Sequence, residues 1–132
     1  MKLSPNISVD EIVCQCGCGY GRGPSAHKTM RPVIEVAQAA HDHFERVTGK
    51  KLYIGIGSGC RCMPHNINQR GAKMSLHMKA RALDFWLYDK DGNRVPTEDL
   101  FNYIREHWPK ISIGKYPNGR VHIDDKRQWR TW

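Results

Sequence analysis

The sequence contains no apolar run approaching the roughly 18 residues that a membrane-spanning helix needs, which excludes such a helix. Aromatic residues are few, at 9%, and hydrophobic residues make up 39%. This hydrophobic content is low but typical of a globular protein. The composition excludes collagen-like, coiled-coil and low-complexity classes. Residues 1–10 lack the basic start and apolar stretch of a secretory signal peptide, so we expect synthesis to end in the cytoplasm.

Acidic residues are also scarce, since 13 Asp and Glu stand against 21 Lys and Arg and leave a net charge of +8. Two classes of polyanion would attract such a chain, namely nucleic acid and the anionic bacterial wall or membrane surface. A soluble protein with a high pI and no polyanion partner fits the same numbers. At 132 residues the chain is long enough to bury a core, and we expect one domain over residues 1–132.

Hydrophobic spacing and helix-boundary signals predict a mixed arrangement of helices and strands. Ser8 and Glu11 form the S-x-x-E pattern of a capping box, which predicts a short helix starting at Ser8. The other predicted elements are a helix over 32–48 ended by Gly49, a strand over 52–56, a strand over 82–88, a helix capped by Thr97 and running to 107, and short strands over 111–113 and 120–124. We expect His41 and His43 at the helix surface or boundary, and Trp86 and Trp108 in the core.

The five cysteines occur in two groups, Cys14, Cys16 and Cys18 in one loop and Cys60 and Cys62 in another. Their spacing does not match the C-x₂-C pairs of zinc ribbons. Reduced thiols, a disulfide between the loops and a structural metal all remain open. Reduced thiols are favoured in a chain made in the cytoplasm, where disulfides are rare.

Three side chains stand out as candidates for chemistry. Asp84 projects from a predicted strand rich in apolar residues, where a carboxylate is costly without a charged or metal partner. His77 precedes that strand, and His122 lies within a later one. Two imidazoles and one carboxylate are a known ligand set for catalytic zinc, with the fourth position open for water. A buried Asp paired with Arg, together with two hydrogen-bonded histidines, would fit the same residues.

Four segments resemble the zinc D-Ala-D-Ala carboxypeptidase family, which includes phage endolysins. Residues 75–84 read SLHMKARALD and are similar to the family motif S-x-H-x-x-G-x-A-x-D. Residues 58–66 read SGCRCMPHN and resemble the upstream S-G-Y-R-S/C-P-x-H-N segment. Residues 116–124 read YPNGRVHID and resemble the closing Y-P-x-x-x-V-H-V-D segment, while residues 14–19 resemble the C-x-C-G-C-G entry of the small phage-type branch. The four segments follow one another in the family's order.

The resemblance implies a role for each matching residue. His77, Asp84 and His122 would bind one zinc ion. Arg61 would bind a substrate carboxylate or carbonyl and take part in catalysis, in agreement with the planar fork that a guanidinium offers to a carboxylate. Ser75 would shape the site or form hydrogen bonds within it. For Arg61 a structural salt bridge, and for Ser75 a helix cap, are the alternatives.

The sequence departs from the family at the general base. In relatives the base is a Glu three residues before the last zinc His, or a His two residues before it. Gly119 and Arg120 occupy those positions here and cannot serve. We expect Asp124 to be the catalytic base, because residues 122 and 124 of a strand point to the same face. The same carboxylate could instead hold the His122 ring in place.

Together these features predict an α+β fold, similar to hedgehog and D-Ala-D-Ala peptidase domains, with a small antiparallel sheet, helices on one side and the site on the open face. The predicted function is that of a monomeric zinc peptidase cutting peptide bonds of the peptidoglycan stem or cross-link. As a phage-type lytic enzyme it would reach the wall after holin-type release. The alternatives are a non-catalytic zinc-binding domain of the same fold that binds cell-wall or protein ligands, and a small basic nucleic-acid-binding protein.

Overall fold

The computed structural model describes residues 2–60 and 81–125. Within these ranges the chain forms six strands and three helices, numbered here in chain order. They are β1 (Lys2–Ser4), β2 (Ile7–Ser8), α1 (Val9–Ile12), α2 (Pro24–Thr48), β3 (Leu52–Ser58), β4 (Ala82–Asp89), α3 (Thr97–His107), β5 (Ser112–Lys115) and β6 (Val121–Asp124). A small hairpin of β1 and β2 precedes α1, and the strands of the main sheet all follow the long helix α2.

Among the described residues, the main sheet has four strands in the order β3-β4-β6-β5, and every neighbouring pair is antiparallel. β4 pairs with β3 on one side and with β6 on the other. The register places Asp84 opposite His122 of β6 and opposite Ser58 of β3. Paired residues of neighbouring strands point to the same face of a sheet, so Asp84 and His122 share a face although they are distant in the sequence.

The other face of β4 forms the core. Leu83, Phe85 and Leu87 are fully buried there and belong to one apolar cluster with side chains of α2 and α3. Both helices contact this sheet, α2 at β3 and β4, and α3 at β5 and β6. The α+β fold predicted from the sequence is therefore confirmed. Trp108 packs against the core as expected, but Trp86 is half-buried and lies outside the cluster, which corrects its predicted place.

The predicted start of the long helix is wrong, because α2 begins at Pro24 and not at residue 32. Proline suits the first turn of a helix, and Pro24 occupies that position after the N-cap Gly23. Pro32 is instead inside the helix. The predicted end is confirmed, since Gly49 adopts a left-handed conformation with φ of 69° and its N–H donates to the Glu45 carbonyl at 3.0 Å.

His41 is buried, with 2% of its surface exposed, so its predicted surface position is wrong. Its Nε2 lies 2.8 Å from the carbonyl of Leu52 at the start of β3, and its Nδ1 lies 2.9 Å from Asp42 Oδ1. These partners explain how an imidazole fits among apolar neighbours, and they leave it a structural role between α2 and β3. His43 is half-buried at the helix boundary, as expected.

Of the shorter elements, α1 and β6 lie close to their predicted positions, β5 extends to Lys115, and the hairpin of β1 and β2 was not predicted. The capping box is present, with the Ser8 N–H donating to Glu11 Oε1 at 2.9 Å. Thr97 is the first residue of α3 and not its cap, because Pro96 holds the cap position. The Thr97 hydroxyl donates instead to the Gly119 carbonyl at 3.1 Å, which ties α3 to the turn before β6. No helix in the described part of the chain is long and apolar enough to cross a membrane.

Candidate active site

Asp84 and His122 meet in the middle of the sheet, on the face opposite the core. Asp84 Oδ1 lies 2.8 Å from His122 Nδ1, and the two side chains are only 6% and 7% exposed. The contact follows from the register, since the two residues are direct partners across β4 and β6. The sequence predicted both as members of one site, and the structure brings them together.

Asp124 contacts the other nitrogen of the same ring. Its Oδ2 lies 2.9 Å from His122 Nε2, and the residue is fully buried. The two nitrogens of an imidazole point away from each other, so Asp124 and Asp84 approach the ring from different sides. Among the described residues, these three side chains do not form a group whose ligand atoms all lie within 4.8 Å of one another. Asp124 therefore lies beyond the ring as seen from Asp84.

The two carboxylates set the charge of the imidazole between them. Burial disfavours the imidazolium and lowers the pKa of His122. Hydrogen bonds that the ring donates to Asp124 and Asp84, and the negative charge of both carboxylates, outweigh burial and raise the pKa above its usual 6.5. A buried site with this excess of negative charge favours a cation, either a proton on the ring or a metal ion in its place.

The donor set fits zinc. Carboxylate oxygen and imidazole nitrogen are both zinc ligands, and they bind at distances near 2.0–2.2 Å. Two such atoms on one tetrahedral ion lie roughly 3.3 Å apart. The Asp84 oxygen and the His122 nitrogen, at 2.8 Å, would need to separate by only about half an ångström. A carboxylate on the second ring nitrogen, as Asp124 supplies, is the usual partner of a zinc-binding histidine.

Comparison with known protein families identifies one family that the chain matches. Residues 5–124 match the model of the family described as Peptidase M15, and this range contains the whole described site. The chain belongs to the peptidase M15 family. No curated protein matches the chain significantly. The family resemblance seen in the sequence is thus confirmed, and the family is one of metallopeptidases.

Three of the predicted site residues of this M15 peptidase, Arg61, Ser75 and His77, lie outside the described residues. Their predicted roles in binding substrate and metal stay predictions. Of the predicted set, the structure thus brings together Asp84, His122 and Asp124.

Sequence reasoning missed Tyr116 as a neighbour of the site. Its hydroxyl lies 3.4 Å from His122 Nδ1, the same nitrogen that faces Asp84, and the two rings meet edge to face at 6.2 Å. The turn between β5 and β6 brings it there, with the Tyr116 N–H donating to the Arg120 carbonyl at 2.9 Å. The available signal was its place in the segment 116–124, which resembles the family's closing motif and also contains His122.

A second missed group lies on the same face of the M15 peptidase sheet. The guanidinium carbons of Arg94 and Arg120 lie 4.7 Å and 5.0 Å from the centre of the Trp86 ring. Gly55 and Gly57 of β3 leave space for this stack, since a Cβ at Gly55 would collide with Trp86 and one at Gly57 would come within 2.5 Å of Arg120 Nη1. The two guanidinium groups therefore stack on Trp86, which lies two residues after Asp84 on the same face of β4.

Proposed function

We propose that this chain is a zinc-dependent peptidase that hydrolyses peptide bonds in the stem or cross-link of peptidoglycan, as a D-Ala-D-Ala carboxypeptidase or an endopeptidase. The observation that carries the proposal is the buried contact between Asp84 and His122 at 2.8 Å, in a chain of the peptidase M15 family. We further propose that residues 1–132 form one peptidase domain, that it acts as a monomer, and that it does not bind nucleic acid specifically.

Within this proposal His77, Asp84 and His122 hold one zinc ion. When bound, zinc supplies Lewis-acid chemistry by activating water and polarising the scissile carbonyl. Asp84 and His122 fix two of the ligand positions because their strands are paired directly. Arg61 binds a carboxylate or carbonyl of the substrate, and Ser75 shapes the site.

Asp124 is better suited to position His122 than to accept a proton from water. Its carboxylate touches Nε2, whereas Nδ1 faces Asp84 and Tyr116. As an acceptor at Nε2 it holds the tautomer and orientation that leave Nδ1 available for a metal. We therefore propose that Asp124 acts through His122, as the sequence also allowed.

The face of the sheet that carries Asp84 and Trp86 is suited to an acidic peptide. Arg94 and Arg120 stack their guanidinium groups on Trp86, on the same face of β4 as Asp84. A guanidinium binds a carboxylate with two parallel hydrogen bonds. Stem peptides of peptidoglycan carry carboxylates, so this surface supports binding of the substrate beyond the scissile bond.

The biological setting that we propose is that of a phage-type cell-wall lytic enzyme. It would be made in the cytoplasm and would act on the wall after holin-type release. The net charge of +8 would favour the anionic wall. The alternative is a non-catalytic zinc-binding domain, which the absence of the family's usual base at Gly119 and Arg120 favours.

Turnover of isolated cell walls by the purified protein tests the proposal. We expect the protein to release the products of peptide-bond hydrolysis. A chelator should abolish this release, and added Zn²⁺ should restore it. The variants His122→Ala and Asp84→Asn should lose both activity and the zinc of this centre, because each removes a zinc ligand. His43→Ala and Asp91→Asn, which change the same residue types elsewhere, should retain both.

Two results would contradict this function in different ways. Turnover that survives chelation or the His122→Ala change would show that the reaction does not depend on this centre. Stoichiometric zinc that is lost in His122→Ala, without hydrolysis of any wall preparation, would establish the non-catalytic domain instead.

A further inference from the structure

A second group of metal-ligating side chains lies in the loop between α1 and α2. The Sγ atoms of Cys14, Cys16 and Cys18 all lie within 4.8 Å of one another, and those of Cys14 and Cys16 are 3.4 Å apart. In the described ranges, no other three His, Cys, Asp or Glu side chains come together in this way. Cys14 is buried, whereas Cys16 and Cys18 are exposed.

The backbone of the loop explains why alternate side chains converge. Gly17 and Gly19 have φ angles of 85° and 87°, a conformation that residues with a side chain rarely adopt. The loop closes on itself through the Cys14 N–H, which donates to the Tyr20 carbonyl at 2.8 Å, and through the Gly17 N–H, which donates to the Cys14 carbonyl at 3.2 Å. The two glycines therefore turn the chain so that the three thiols point to one centre.

The sulfur separations agree with a shared ion better than with a disulfide. A disulfide requires about 2.05 Å between sulfurs, and Cys14 and Cys16 are at 3.4 Å. Thiolates bind zinc at about 2.3 Å, which places two sulfurs of a tetrahedral site roughly 3.8 Å apart. The observed range, from 3.4 Å to at most 4.8 Å, brackets that value.

We infer that Cys14, Cys16 and Cys18 bind a structural zinc ion, separate from the Asp84–His122 centre. Three thiolates fill three positions of a tetrahedron, and soft sulfur ligands select zinc over hard divalent cations such as Mg²⁺ or Ca²⁺. This site does not depend on the proposed peptidase reaction. It would be present in an active enzyme and in a non-catalytic domain alike.

The position of the loop indicates what the ion would stabilise. Gln15 Nε2, between two of the cysteines, donates to the Gly57 carbonyl of β3 at 2.7 Å. The Cys60 N–H, just after β3, donates to the Ile12 carbonyl at 2.8 Å. β3 ends at Ser58, the direct partner of Asp84. An ion that holds the loop in shape would thereby hold the end of β3 against the strand that carries Asp84.

Cobalt substitution of the full chain tests the inference, because Co²⁺ bound to thiolate absorbs in the near ultraviolet and Co²⁺ bound to imidazole and carboxylate does not. We expect wild type to show this absorption and two metal ions per chain. Cys16→Ser and Cys18→Ser, which change exposed side chains, should lose the absorption and one ion. His122→Ala should keep the absorption and lose the other ion.

Cys60→Ala provides the matched control, since this thiol lies near Cys14 but outside the group of three. It should keep the thiolate absorption. Alkylation of the protein without prior reduction, followed by mass spectrometry, adds a readout that does not use the cobalt spectrum. We expect Cys16 and Cys18 to be protected in the zinc-loaded protein and labelled after chelation.

Three results would overturn the inference. They are a wild-type spectrum without thiolate-to-cobalt absorption, absorption that survives in both Cys16→Ser and Cys18→Ser, and a disulfide joining any of the three cysteines in the purified protein. None of these results would bear on the Asp84–His122 centre, which is measured separately through His122→Ala.

Discussion

His122 is held between two carboxylates that have different consequences for its chemistry. Asp84 shares the Nδ1 side with Tyr116, and Asp124 occupies the Nε2 side. A carboxylate that shares a metal ion with His122 and a carboxylate that only orients the ring contact different nitrogens of the imidazole. This distinction allows a single substitution to separate the two roles considered for Asp124.

The substitution Asp124→Asn keeps a hydrogen-bond acceptor for His122 Nε2 but removes the negative charge. If Asp124 positions the ring, we expect zinc affinity to fall by roughly 10–100-fold and kcat to recover when zinc is in excess. Zinc titration together with kcat and KM at saturating zinc measures this. A loss of kcat of about 100-fold or more with unchanged zinc affinity would assign the general base to Asp124 instead.

Arg120 lies on the same face as His122 and stacks on Trp86. If its guanidinium binds a substrate carboxylate, we expect Arg120→Ala to raise KM by roughly tenfold or more, because hydrogen bonds to charged groups contribute about 1.5–3 kcal/mol. Arg120→Lys should recover part of the loss, since it keeps the charge without the planar fork. Arg31→Ala removes one positive charge from α2 and should leave KM unchanged.

Steady-state kinetics on a soluble stem peptide provide the measurement for Arg120. A KM that is equal in wild type and Arg120→Ala would remove Arg120 from the substrate-binding surface. A fall in kcat without any rise in KM would show that the guanidinium supports the site and does not bind substrate.

At the scale of elements, α2 is ended by one residue with an unusual backbone. Gly49 has φ of 69°, and a Cβ there would meet open space. The cost of substitution is therefore conformational and not steric. We expect Gly49→Ala to lower the free energy of unfolding by about 1 kcal/mol, and Gly49→Asn to lower it less, because Asn tolerates the left-handed region.

Urea unfolding of the two variants beside wild type measures this difference. Equal midpoints for Gly49→Ala and Gly49→Asn would contradict the argument, because both add a side chain and only their backbone preferences differ. A change in the slope of the transition would point to an altered unfolded or native state and not to the helix end alone.

At the scale of the whole molecule, the net charge of +8 is the property relevant to a polyanionic wall. Screening shortens from about 8 Å at physiological salt to about 3 Å at 1 M, so long-range attraction weakens as salt is added. We expect binding to isolated cell walls, measured by co-sedimentation, to fall steadily over that range. Cleavage of a small neutral peptide should change little, and wall binding that is independent of salt would exclude charge as its cause.

Much of the fold could be predicted because it depends on local patterns. The alternation of Leu83, Phe85 and Leu87 with Asp84 and Trp86 predicted β4 and its buried face, and the glycine at 49 predicted the end of α2. The start of α2 was missed because a proline suits the first turn of a helix, and the sequence has two such candidates, Pro24 and Pro32. His41 was misplaced because helical spacing does not reveal a carbonyl supplied by the next strand.

The sequence by itself determined the α+β class, the strand that carries Asp84, and the motifs that identify the family, since each depends on the type and spacing of neighbouring residues. Only the tertiary structure decided that Asp84 faces Nδ1 of His122 while Asp124 faces Nε2, and that two arginines stack on Trp86. Only the folded loop brought three sulfurs within 4.8 Å of one another. These contacts depend on strand register and backbone turns, which place atoms to within an ångström. Residue spacing along the chain determines only which side chains share a face of a helix or strand.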